Sequence, residues 1–194
     1  GIRSDVPSLE VEVSGSAVLP VSRFASILRE SSDEKLSLEA GSQYTVVRGT
    51  GSEFRLQAAN PDEFPNVATF AEEKFIELPA RLLKQLIHRT VFAADTEGSR
   101  YALGGVLLEI EADKVIGVAT DGRRLAKMEG PAQSVGGPPT ADWMTIVPSR
   151  AMQLIDRVVS DDDAEIQLAT QPSAILVKTP RATIYARLVE GRFP

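Results

Sequence analysis

Asp121, Arg123 and Arg124 surround Gly122 in the stretch VATDGRRLA, residues 118–126. An acid and two guanidinium groups around a glycine suit three jobs: acid–base catalysis, a phosphate cradle, or a turn that holds other groups in place. A phosphate cradle needs a glycine-rich loop that feeds a helix, whose first amides then meet the phosphates. This loop feeds RRLAKME, which alternates as a strand does. Catalysis lacks its parts. His88 is the only histidine and there is no cysteine, and no Ser-His-Asp set or carboxylate pair falls at workable positions. A lone histidine on a polar helix stripe reads as a surface residue. Asp161-Asp162-Asp163 falls between a helix and a strand, and three adjacent side chains do not converge on one ion. That run reads as a solvated turn. No catalytic residue, no metal ligand and no cofactor is expected. Asp121-Gly122 is instead a hairpin signal, because a type I′ turn needs residues that tolerate positive φ.

The elements that hold this turn come from a repeat. Residues 21–65 and 148–194 both begin near a Ser-Arg pair, run through a helical apolar pattern, pass an acidic turn and end in Phe-Pro. The runs KLSLEA, YTVVRG and EFRLQA in the first, and EIQLA, AILVK and TIYARL in the second, alternate with a period of two. A third copy lies between them: FIELPARLLKQLIHRTVFAA (75–94) reads as a strand then a helix, with Pro79 at the helix start. YALGGVLLEIEA, KVIGVAT and RLAKME follow. Each copy therefore predicts strand, helix, then strands joined by tight turns at Gly41-Ser42, Ala112-Asp113 and Asp121-Gly122. The fold class is α+β, repeated β-α-β-β-β units, and one unit alone buries too little core, so units should pair.

That pairing predicts two helices on one face of antiparallel sheet in residues 75–194, joined by the loop EGPAQSVGGPPTA (129–141). Residues 1–66 would be the later half of a preceding domain, with 67–74 as linker. The chain opens on Gly1 and stops after GRFP, which reads as a piece of something longer. Trp143 would open an apolar strand at the core or domain edge.

Composition agrees with a globular chain: 194 residues, 43% hydrophobic and 25% charged. No apolar run nears the roughly 20 residues that span a bilayer, no secretory signal is visible, and the absence of cysteine suits the cytoplasm. A net charge of −6 argues against a firm grip on nucleic acid, unless charge is segregated. It is. With the helices in register, positions i, i+3 and i+7 read Arg23, Ser26, Glu30; Arg81, Lys84, His88; and Arg150, Gln153, Arg157, with apolar residues opposite. From Leu78 to Ala94 there are Arg81, Lys84 and Arg89 and no acid. Such stripes are either ordinary solvated faces, with Glu30 favouring that reading, or a lining that meets a polyanion weakly.

The segment RYALGGVLLEIEADKVIGVATDGRRLA (100–126), with Phe-Pro closing the chain after LVEGR, resembles the bacterial sliding clamps, the beta subunits of DNA polymerase III. The resemblance runs nearly end to end. It implies the DNA-clamp fold, in which paired units form domains and three domains per chain close into a dimeric ring around duplex DNA, with helices lining the hole. It further implies a non-catalytic processivity factor that slides on DNA without reading sequence and binds the replicative polymerase, the clamp loader and other clamp-motif proteins. The DNA-facing residues would be Arg23, Arg81, Lys84, Arg150 and Arg157. The ATDG-x-RL turn would wall a groove for short linear motifs, formed by Leu103, Thr120, Gly122, Arg123, Arg124, Leu125 and Pro194. Arg123 stands where many relatives have histidine. Leu103 and Leu125 equally suit plain core packing. The third domain and the rest of the groove would follow Pro194, so a homodimer ring is expected only of the full-length protein. A β-rich peptide-binding or scaffold module with no DNA role is the alternative.

Overall fold

Each repeat is built around a helix that starts directly after a proline. Val21–Glu30 (α1) follows Pro20, Ala80–Thr90 (α2) follows Pro79, and Ser149–Val158 (α3) follows Pro148. Proline has no N–H to give a sheet ladder, and its fixed φ suits the residue before a first turn. It therefore ends one element and sets the next. The computed structural model describes residues 1–7, 9–96, 101–137, 144–160 and 162–194. These fall into two units, Ser8–Asn66 and Val67–Pro194, the latter joined by Gly1–Pro7.

The strands are Ile2–Ser4 (β1), Ser37–Ala40 (β2), Tyr44–Arg48 (β3), Glu53–Gln57 (β4), Phe75–Pro79 (β5), Gly105–Ile110 (β6), Lys114–Thr120 (β7), Leu125–Pro131 (β8), Gln133–Val135 (β9), Thr145–Pro148 (β10), Glu165–Gln171 (β11), Ala174–Lys178 (β12) and Ala182–Arg187 (β13). In the smaller unit, β2, β3 and β4 form an antiparallel sheet beside α1. In the larger unit the two repeats exchange their leading strands. β10 pairs with β6 in the sheet β10-β6-β7-β8, and β5 pairs with β11 in the sheet β1-β13-β12-β11-β5-β9. The pairings of described strands are all antiparallel.

One core serves both halves. Leu83, Leu86 and Ile87 of α2 and Met152 and Ile155 of α3 join Ile76, Leu78, Val106, Leu108, Ile166, Ile175 and Ile184 of the sheets. The helix α2 approaches β7 and β8 closely at two glycines. A Cβ on Gly117 would stand 2.5 Å from Leu86 Cδ2, and one on Gly130 would collide with Leu82. These glycines are set by packing.

Several expectations are corrected. The stretch 129–141 is not all loop: β8 runs through Gly130 to Pro131, and after Ala132 the chain enters the other sheet as β9. Among the described residues the first copy has no leading strand. Val18 makes a single bridge to Ala59, whereas β5 and β10 each complete their ladder on another repeat's sheet. Residues 1–7 belong with the larger unit, because β1 pairs with β13 and the Gly1 ammonium donates to the Tyr185 carbonyl at 2.7 Å. The span 67–74 is no free linker: the Phe70 ring stands edge-on to Phe75 at 5.6 Å, and Gln171 Nε2 donates to Glu72 at 2.7 Å. The turn at residues 40–45 centres on Ser42-Gln43, since Gly41 N donates to the Tyr44 carbonyl. Trp143 and Asp161 lie outside the described residues.

Candidate functional site

Register decides which residues share the outer face of the β10-β6-β7-β8 sheet. Thr120 lies opposite Leu125, Val118 opposite Lys127, and Val118 also opposite Leu107. With period two, Thr120, Val118, Leu125 and Leu107 therefore point to one side, away from the core that holds Val106, Leu108, Val115 and Ala119. Leu107 and Ile146 on this side are covered by Phe193, with Ala102, Val118 and Val189 packed around them. The Phe193 amide donates to Met144 Sδ at 3.2 Å. The chain's last residues thus pass over the sheet face, and Pro194 after them is exposed.

The connection from β7 to β8 is a four-residue loop, 121–124, and not the two-residue turn expected. Gly122 alone adopts positive φ, at 87°, so the type I′ geometry is not formed. Side chains shape the loop instead. Asp121 Oδ1 accepts from the amides of Arg123 at 2.9 Å and Arg124 at 3.0 Å. Thr120 Oγ1 donates to the Arg124 carbonyl at 2.6 Å and accepts from Gly122 N at 3.0 Å. The two backbone amides, first that of Arg123, hold the Asp121 carboxyl below its ordinary value of 3.8. Asp121 Oδ2 also pairs with Arg124 Nε at 2.9 Å. The glycine and aspartate are structural, and they present Arg123, Arg124 and Leu125 to solvent.

Leu125 is 65% exposed, which removes the core-packing reading for it. Leu103 is 4% exposed and packs inside, two residues before β6 at the sheet end that carries Thr120. Its carbonyl accepts from Asp95 N at 2.8 Å. Phe92, which sequence reasoning missed, is 58% exposed, and the Arg124 guanidinium lies 5.8 Å from its ring centroid. Its signal was an aromatic just past the helix end, hidden inside an apolar run. Gly191 lies against Ala102, the residue preceding Leu103. The fold therefore gathers Leu103, Thr120, Gly122, Arg123, Arg124 and Leu125 at one corner, apolar and rimmed by cations. Pro194 follows Phe193, whose amide meets Met144 toward the other end of β10, and these contacts do not bring it into this group.

A second surface lies on the other side of the core. Arg81, Arg150 and Arg157 are exposed and Lys84 is half-buried, on the solvent sides of α2 and α3. His88 Nε2 stands 3.0 Å from the Asp156 carboxylate and joins the two helices. Arg23 lies on α1 in the smaller unit, beside an open depression lined by Ser22, Ser26, Phe54 and Arg55. Sequence reasoning missed that acids accompany the α2 stripe: Lys84 pairs with Asp162 at 3.0 Å and Arg81 with Asp163 at 3.7 Å. Among the described residues no cluster is placed to hold a metal ion, and no helix is long and apolar enough to cross a membrane.

Residues 77–194 match the family model of the DNA polymerase III beta subunit, central domain. The beta sliding clamp of Halalkalibacterium halodurans is 27% identical over 191 residues, covering 98% of this chain and 50% of that protein. The beta sliding clamp of Staphylococcus aureus is 28% identical over 187 residues, covering 96% and 48%. The chain spans about half the length of the curated relatives it matches. The crystal structure of the DNA polymerase III subunit beta from Pseudomonas aeruginosa superposes with a TM-score of 0.87 at 27% identity, covering all of this chain (100%) and 53% of that one. The DNA polymerase sliding clamp from Bacillus subtilis gives 0.86 at 26%, covering 100% and 52%.

Proposed function

The chain belongs to the family of the DNA polymerase III beta subunit and has the clamp fold, and on that premise we propose that it serves as part of a DNA polymerase processivity clamp. In this reading the protein has no catalytic role. It encircles duplex DNA without regard to sequence, works in the cytoplasm, and tethers the replicative polymerase, the clamp loader and other clamp-motif proteins. Residues 75–194, joined by 1–7, act as the middle clamp domain, and 8–66 as the later half of the first. Ring closure into a homodimer belongs to the full-length protein.

The observation that carries this reading is the corner at the end of the four-stranded sheet. An exposed leucine and phenylalanine beside two arginines suit a short amphipathic peptide: apolar area supplies affinity, and the guanidinium groups orient acidic or carbonyl groups. Nothing in the corner activates a nucleophile. Chemistry would come from what docks there. The α2–α3 face is the proposed DNA side, where side-chain cations meet phosphates and no base edges are read.

A labelled peptide carrying a replicative polymerase's clamp-binding motif tests the corner by fluorescence anisotropy. Saturable binding that Leu125→Asp abolishes is expected, with Arg150→Gln/Arg157→Gln unaffected. Binding that survives Leu125→Asp unchanged would place the docking site elsewhere.

A further inference from the structure

Helix α2 begins without a side-chain cap, and the turn after α3 does that work through its backbone. Ala80 N donates to the Ala164 carbonyl at 2.8 Å and Arg81 N to the Asp162 carbonyl at 3.2 Å. These bonds fix where the turn's side chains stand. Asp162 Oδ1 lies 3.0 Å from Lys84 Nζ, and Asp163 Oδ1 lies 3.7 Å from Arg81 Nη2. Negative charge is favoured at a helix N-terminus in any case. Among the described residues neither Arg150 nor Arg157 of α3 forms such an ion pair, so the two helices differ.

We propose that Asp162 and Asp163 are built-in competitors for phosphate, an autoinhibitory contact that occupies Arg81 and Lys84 and sets how weakly the α2–α3 face holds a polyanion. The proposal rests on the reading that this face meets DNA. Both pairs reach solvent, and exposed ion pairs are weak and exchange readily. A phosphate can displace either carboxylate, but each displacement returns an unpaired acid to water beside the incoming backbone. The gain from counterion release is reduced accordingly. Such a surface attracts a duplex without arresting on it.

The test compares the chain with Asp162→Asn/Asp163→Asn and with Glu109→Gln/Glu129→Gln. The second variant makes the same charge change on the far face of the four-stranded sheet. Two probes are used: a heparin column, and a short duplex titrated at several salt concentrations. The turn variant should elute from heparin at higher salt than the control variant. Its plot of log affinity for duplex against log salt should steepen by up to about 1.8, two freed cations at about 0.9 each. Equal heparin elution of the two variants overturns the proposal. Stronger heparin retention with no duplex binding by any of the proteins leaves the contact standing and overturns the DNA reading instead. The backbone bonds that cap α2 survive both substitutions. Should the double variant still misfold, Lys84→Gln with and without Asp162→Asn decides: a further heparin gain from Asp162→Asn equal to its gain in the wild type contradicts the pairing, and a smaller one supports it.

Discussion

Arg124 lies over the Phe92 ring, with its guanidinium carbon 5.8 Å from the centroid. The contact joins the loop after β7 to the short turn after α2 at the edge of the apolar corner. Both side chains reach solvent, so they hold the corner's shape more than the fold.

Phe92→Ala removes a cation–π contact of about 0.5–1 kcal/mol at an exposed site, together with apolar docking area. Peptide affinity should fall about five-fold, while urea denaturation shows a stability loss of no more than about 1 kcal/mol, the size of that contact. Anisotropy and denaturation on the same preparation check this. A large stability loss with unchanged affinity would assign Phe92 to the fold instead.

Asp121 gives a pH prediction. Its folded-state value lies below the ordinary 3.8 because the Arg123 and Arg124 amides donate to it. A lowered value means the charged form is favoured in the fold. Its contribution is therefore complete above 3.8 and is lost as pH falls through the lowered folded value. The Arg123 and Arg124 amide resonances should titrate together, below the ordinary carboxylate range. Asp121→Asn, which keeps an acceptor oxygen, should remove that titration and leave the loop in place. Titration of either amide at or above 3.8 would contradict the loop geometry.

The sequence showed the repeat, the three helices and the character of most strands, because those rest on local periodicity. The exchange of leading strands was illegible: β5 and β10 read as the starts of their own units, and only long-range pairing moves them to the other sheet. Gly130 read as part of a loop because glycine commonly marks turns, yet it sits mid-strand to admit Leu82. Asp121-Gly122 read as a two-residue turn, but Thr120 and Asp121 stabilise a wider loop through their own side chains. The helix stripes were correctly seen as outward-facing. Their partners were not, since Asp162 reaches Lys84 across 78 positions of chain that spacing rules do not connect. Leu103 and Leu125 looked alike in sequence and stand at the same sheet end, and only the folded chain separates them: Leu103 packs inside before β6, and Leu125 opens β8 on the outer face.

Gly117 offers a test of the helix–sheet packing. Gly117→Ala places a methyl against Leu86, which is fully buried. Overpacking of this kind costs about 1–3 kcal/mol. Residues in contact do not add independently, so Gly117→Ala in a Leu86→Ala background should cost less than in the wild type. Urea denaturation of the four proteins supplies the comparison. Additive losses would mean that α2 does not approach β7 here.

The proposed function gives one domain two working faces, an apolar corner for partners and a helix face for DNA. The most direct measurement is amide chemical-shift mapping on a single labelled sample, titrated first with a clamp-motif peptide and then with a short duplex. The peptide should perturb Phe92, Leu103, Thr120 to Leu125 and Phe193, and the duplex should perturb α2 and α3 around Arg81, Lys84, Arg150 and Arg157. Peptide and duplex shifts on the same residues, or no response to either at millimolar peptide and low salt, would contradict the two separate faces.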